Sequence, residues 1–204
     1  MTQIEAMRRL NALRAPAFST REAAALLQVT PANASMILHR LERHGFLTHL
    51  ARGRWGLARG VSRFALAEIL SAPEPAYVSL QSALFHHGLI EQVPAVIYAV
   101  TPGRTRRVES VIGTVSFHRV PPELFFGFEI TEDGAKIATA EKALFDILYL
   151  APARSRLFAR LPEIEFPRKF RWADIAKYID HVKSGSRRVF LVRRIETLHK
   201  SRRR

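Results

Sequence analysis

Residues 35–60 read "SMILHRLERHGFLTHLARGRWGLARG", and this stretch decides how the first third of the chain folds. It opens as an apolar helix pattern. Ala34, Ile37, Leu38 and Leu41 recur at i, i+3, i+4 and i+7, the stripe by which a helix faces a core. Gly45 stands where a left-handed residue ends a helix. Phe46, Leu47 and Leu50 then begin a strand, Arg52-Gly53 turns it, and Trp55 and Leu57 lead back. The stretch carries arginine at 40, 43, 52, 54 and 59, no lysine, and a single acid, Glu42.

Upstream, Thr30 is a good N-cap and Pro31 an ideal first helical residue, because its missing N–H would have lacked a partner anyway. Before it, "STREAAALL" offers Ser19 as a cap and Glu22 three positions on, the spacing of a capping box, with Ala23, Leu26 and Leu27 facing inward. Ile4, Met7, Leu10 and Leu13 predict a first helix, closed before Pro16. Two short helices joined by about three residues form a helix-turn-helix, and the hairpin that follows is a wing. With Ala34, Ile37, Leu38 and Leu41 buried, the second helix offers Asn33, Ser35, Met36, His39, Arg40 and Arg43 outward, beginning at Thr30. In a helix lying in a major groove, early residues read base edges and flanking ones touch phosphate. Asn33 and Arg40 are the expected base contacts, Ser35 and Met36 the secondary ones, and Arg52 and Arg54 the backbone or minor-groove contacts of the wing.

Charge points the same way. The 204 residues hold 32 Lys and Arg against 18 Asp and Glu, a net +14. Residues 1–60 carry 9 basic and 3 acidic groups, 61–150 carry 7 and 10, and 151–204 carry 16 and 5. Both ends therefore suit a polyanion while the middle does not. Helix-turn-helices that bind proteins exist, but the charge and the arginine-tipped hairpin favour double-stranded DNA. Arg187, Arg188, Arg193, Arg194 and the terminal "KSRRR" form an expected auxiliary basic surface, adding affinity through counterion release. No cysteine occurs, which excludes disulfides and thiolate metal sites and fits a reducing cytoplasm. No run of 18 apolar residues spans a membrane, and the N-terminus lacks the apolar core of a secretory signal.

Residues 61–76 form a short apolar helix and a Pro-rich break, where a boundary is placed. "YVSLQSALFHHGLI" reads as a helix capped by Ser79 and stopped by Gly88. "AVIYAVT", "TRRVESVI", "TVSFHRV" and "LFFGFEI" predict an antiparallel sheet of about four strands, with "AKIAT" a possible addition. "TAEKALFDILYLA" is a helix capped by Thr139 with Ala143, Leu144, Ile147 and Leu148 inward, and helices follow at "WADIAKYIDHV" and "RRVFLVRRIETLHK". Chemistry is sparse. There is no phosphate-binding glycine loop, no His-Glu-x-x-His and no G-x-S-x-G. His86 and His87 point about 100° apart on a helix and do not converge on a metal. Glu141 reads as a salt-bridge partner and Asp146 as a solvated group. No metal, cofactor or catalytic residue is expected, and the chain is not read as an enzyme.

Three ordered motifs carry a family likeness: Tyr77–Ile90, Thr101–Arg104 and Ala138–Asp146. With the preceding winged helix, they make the chain resemble the AbiEi-type antitoxins, described also as predicted transcriptional regulators of viral defence systems. One departure is Ala140, where the family pattern has proline at the first helical position. The resemblance implies a type IV toxin–antitoxin (abortive infection) system. In it the winged helix represses its own operon by binding inverted repeats. The second domain opposes a nucleotidyltransferase-like toxin without a stable complex.

The expected architecture is thus α+β: a winged helix-turn-helix over 1–60, then an α/β antitoxin-type domain over 61–204 with an antiparallel sheet and C-terminal helices. Alternatives are a ligand-responsive winged-helix regulator without a toxin, or a nucleic-acid-processing enzyme that uses the β-rich half.

Overall fold

A computed structural model describes residues 2–13, 15–58, 60–153, 158 and 160–201. The fold is mixed α+β. The first unit runs α1 (Gln3–Asn11), β1 (Ala17–Ser19), α2 (Thr20–Leu27), α3 (Pro31–Arg43), β2 (Leu47–Ala51) and β3 (Arg54–Leu57). Its three strands pair antiparallel in the order β1-β3-β2. The caps are local chemistry. Ser19 Oγ accepts from the amide of Glu22, whose carboxylate accepts back from the Ser19 amide. Thr30 Oγ1 accepts from the amide of Asn33, with Pro31 in the first turn. Gly45 (φ +74°) and Gly53 (φ +71°) take left-handed conformations that a side chain would strain.

Ala6, Leu10, Phe18, Ala23, Leu27, Leu38, Leu41, Leu47 and Trp55 close the core of this unit. The indole of Trp55 donates to Thr20 Oγ1 at 2.9 Å, fixing β3 to the start of α2. Two expectations change here. Ile4 does not face the core but is 82% exposed. A step of three residues turns 300°, so the series Ile4, Met7, Leu10, Leu13 drifts half-way round the helix by its end. Ala6 and Leu10, four apart, are the buried pair. Ile37 is only half-buried, leaving Ala34, Leu38 and Leu41 as the buried stripe of α3.

The second part holds α4 (Leu66–Ser71), β4 (Tyr77–Val78), α5 (Leu80–His86), β5 (Ile97–Thr101), β6 (Arg106–Ser110) and β7 (Gly113–Arg119). After a 3-10 turn at Pro122–Leu124 come β8 (Phe128–Ile130), β9 (Lys136–Ala138), α6 (Ala140–Leu150), α7 (Trp172–Asp180) and α8 (Gly185–Ser201). The sheet is not antiparallel throughout. It is a six-stranded mixed sheet in the order β6-β7-β5-β4-β9-β8, with β5/β7 and β4/β9 parallel. The tight β6–β7 turn sends β6 to the edge and lays β7 beside β5 in the same direction. Among the described residues no helix is long and apolar enough to cross a membrane.

α6 is the keystone. Every residue from Glu141 to Leu148 is buried, so the helix is enclosed on all sides rather than along one stripe. The two parts also lock together. Leu50 of β2 belongs to the second core, and β2 lies against β6. The guanidinium of Arg54 donates to the carbonyl of Ala72 at 2.9 Å. From the other side Arg106 donates to the carbonyls of Leu70 and Ser71 at 3.3 and 3.0 Å.

Candidate nucleic-acid interface

With Ala34, Leu38 and Leu41 turned inward, α3 leaves one face to solvent, and Asn33, Met36, Arg40 and Arg43 stand along it, all exposed. Met36, at 62% exposure, is among the most open large apolar side chains of the chain. Ser35 is half-buried at the flank of this face. Thr30 Oγ1 is occupied by its capping bond, so it contributes position more than contact. Arg52 is exposed in the β2–β3 turn.

Arg54 does not join it. It begins β3 instead of tipping the turn, and its guanidinium is spent on Ala72. Its role is to fasten the hairpin to the second half. Nor is the expected auxiliary surface all free. Arg187 donates to the carbonyl of Tyr149 at 2.6 Å and lies over that residue's ring, 5.1 Å from its centroid. Arg194 is half-buried with its Nε shielded. Both long side chains cover apolar surface of their own chain. Arg188 and Arg193 remain exposed, and the basic end at 202–204 lies outside the described residues.

A cluster beside the open face escaped the sequence reading. His39 Nδ1 lies 3.0 Å from Glu42 Oε2, while Glu42 Oε1 accepts from the amide of His49 at 3.3 Å. The rings of His39 and His49 pack on Trp55, at centroid distances of 4.8 and 4.6 Å, and on each other at 5.6 Å. Glu42 thus ties α3 to the hairpin through Oε1, while Oε2 holds His39 on the same helix. The signal was present: a lone acid among arginines, three residues after a histidine.

In the second half, Asp146 is not solvated but fully buried, paired with Lys142 one turn earlier. Asp146 Oδ2 accepts from the hydroxyls of Tyr77 at 3.0 Å and Ser79 at 2.7 Å, and Lys142 Nζ donates to the Tyr77 oxygen at 2.9 Å. Burial and the Asp146 charge hold the Tyr77 phenol well above the ordinary range. Burial lowers the Lys142 ammonium, with Asp146 opposing. Gly127 (φ +75°) lies against the Lys142 stem, where a Cβ would come within 3.0 Å of Cγ. With both charges sealed, no substrate reaches them unless the fold opens. Among the described residues Glu141 makes no side-chain ion pair; it accepts from the amide of Arg171 at 2.9 Å.

His86 and His87 have rings 5.0 Å apart at 76°. The ring of His87 bonds the carbonyl of Ala138 at 2.7 Å, and among the described residues no group of His, Asp and Glu suits a metal ion. Two roomy clefts, about 550 and 410 Å³, are lined by second-half residues alone. No protein-family model matches this chain, and no curated protein does.

Proposed function

We propose that the chain is a sequence-specific DNA-binding repressor whose first sixty residues form a winged helix-turn-helix. The observation that carries the reading is the open face of α3, where Asn33, Met36, Arg40 and Arg43 stand free above a buried stripe. The order α1-β1-α2-α3-β2-β3 supports it, as does Arg52 in the hairpin turn. Asn33, near the start of α3, is the residue suited to a bidentate adenine contact, and Arg40 to a guanine. Arg43 and Arg52 flank them as phosphate contacts. Two copies would read an inverted repeat with half-sites about 10 bp or a multiple apart.

The test is a fluorescence-anisotropy titration of the full chain against the DNA upstream of its own gene, with scrambled duplex as competitor. Specific binding that is abolished in the Arg40→Glu, Arg43→Glu, Arg52→Glu variant, with unchanged circular dichroism, supports the reading. Equal affinity for scrambled DNA overturns it.

The likeness to AbiEi-type antitoxins extends the proposal to the second half. There the chain would oppose a nucleotidyltransferase-like toxin, encoded next door, without a lasting complex. Growth rescue on co-expression with that neighbour tests this part separately.

A further inference from the structure

The Glu42-centred cluster has more than a bracing role. We infer that His39 is a proton-linked phosphate contact, so that the chain takes up a proton when it binds DNA and holds DNA more weakly as pH rises. The inference rests on the DNA-binding reading of α3 and deepens it.

His39 is held on three sides. Its Nδ1 meets the Glu42 carboxylate, one side of the ring meets Trp55, and another meets His49. Trp55 is itself buried and bonded to Thr20. The side chain nevertheless remains 53% exposed, and its Nε2 has no partner among the described residues. A carboxylate oxygen can only accept, so the ring nitrogen facing it must carry hydrogen. In the neutral ring Nε2 then bears a bare lone pair, which a phosphate, also acceptor-only, repels. In the cationic ring both nitrogens donate, one to Glu42 and one outward.

The placement makes this matter. His39 lies on the flank of α3 that faces the hairpin, beside the exposed face, with its ring against His49 of β2 and Trp55 of β3. A duplex gripped by the α3 face and the hairpin would pass its backbone over this position. The charged and titratable groups around it can be named. On α3, Arg40 and Arg43 oppose the added proton and Glu42 favours it. On β2, the His49 ring packs against that of His39, 5.6 Å between centroids. From the hairpin turn Arg52 opposes the added proton, while Arg54 of β3 is turned away to Ala72. A phosphate at Nε2 brings a second anion to the ring, opposite the Glu42 carboxylate at Nδ1.

The experiment is anisotropy titration of the full chain on its upstream DNA from pH 6 to 8.5 at fixed salt. One linked proton allows affinity to fall by up to about tenfold per pH unit, and DNA itself does not titrate there. His39→Gln, which keeps a donor for Glu42, should bind weakly with a flat profile. His39→Arg, with a fixed charge, should bind flatly near the low-pH affinity of the parent. His44→Gln and His49→Gln should keep the slope. Calorimetry in buffers of different ionisation enthalpy should count about one proton taken up by the parent and none by His39→Gln. A flat parent profile, or an unchanged slope in His39→Gln, overturns the inference and leaves the DNA-binding reading standing. Absence of specific binding at every pH overturns that reading, and this one with it.

Discussion

Lys142 and Asp146 face each other one turn apart on α6, each with its side chain entirely out of solvent, and two hydroxyls from β4 and its edge, Tyr77 and Ser79, complete the pair. Taking two charges out of water is expensive, and the pair stands only because each member has the other and further hydrogen bonds besides. The arrangement knots three segments together: the start of the mixed sheet, the entry to α5, and the central helix.

Asp146→Ala leaves an ammonium buried without its counter-charge, at a cost of about 3–5 kcal/mol. Urea or thermal unfolding should show it, with Tm lowered by on the order of 10 °C for a chain of this size. The double variant Lys142→Met, Asp146→Leu should recover a large part of the loss. A single variant as stable as the parent would mean that the pair is not sealed.

Arg52 and Arg54 are two residues apart and should behave oppositely. Arg52→Ala should leave stability unchanged, weaken binding to all duplexes alike, and lower the salt slope of binding by about 0.9. Arg54→Ala should lower unfolding free energy by roughly 1.5 kcal/mol, through loss of its bond to Ala72, with the salt slope intact. Salt-dependent anisotropy and urea midpoints on the same two proteins distinguish them.

Asn33→Ala should act on discrimination rather than on overall affinity. Loss of a bidentate base contact is worth about 1–3 kcal/mol at one position of the site. Competition assays with single-base operator variants should show relaxed preference at one base pair and near-normal preference elsewhere.

His118 predicts a pH dependence of stability. Burial pushes its imidazole down to about 4. In the unfolded chain a histidine takes a proton below about 6.5, so between those values unfolding binds a proton that the fold refuses. Stability is therefore whole above about pH 6.5 and declines as pH falls toward 4. His86, also lowered, chiefly by burial, adds in the same direction. Urea midpoints measured from pH 4.5 to 7.5 should fall with pH in the parent. His118→Gln, which can keep the bond to Ser116 Oγ, should fall less.

Much of the first sixty residues could be read directly, because the signals there act within one helical turn. Ser19 with Glu22, Thr30 with Pro31, and Ala34 with Leu38 and Leu41 each settle their geometry among near neighbours. The same held for α6, where Thr139 caps an apolar run; α5 differs, because the Ser79 hydroxyl expected to cap it donates to Asp146 instead and Tyr77–Val78 form β4. The open face of α3 needed little more, since what a short helix exposes is the complement of what it buries.

The partners of charged residues were decided elsewhere. Asp146 lies 69 and 67 residues from Tyr77 and Ser79, Arg54 lies 18 from Ala72, and Arg187 lies 38 from Tyr149. Each looks like an ordinary surface charge from its own neighbours. Strand direction is likewise non-local, because hydrogen bonding of β7 to β5 rather than to β6 alone depends on where the chain crosses the sheet. Periodicity states which side of an element avoids water; only the tertiary packing states what meets the other side, and for a charge that meeting settles whether it binds a ligand or holds the fold.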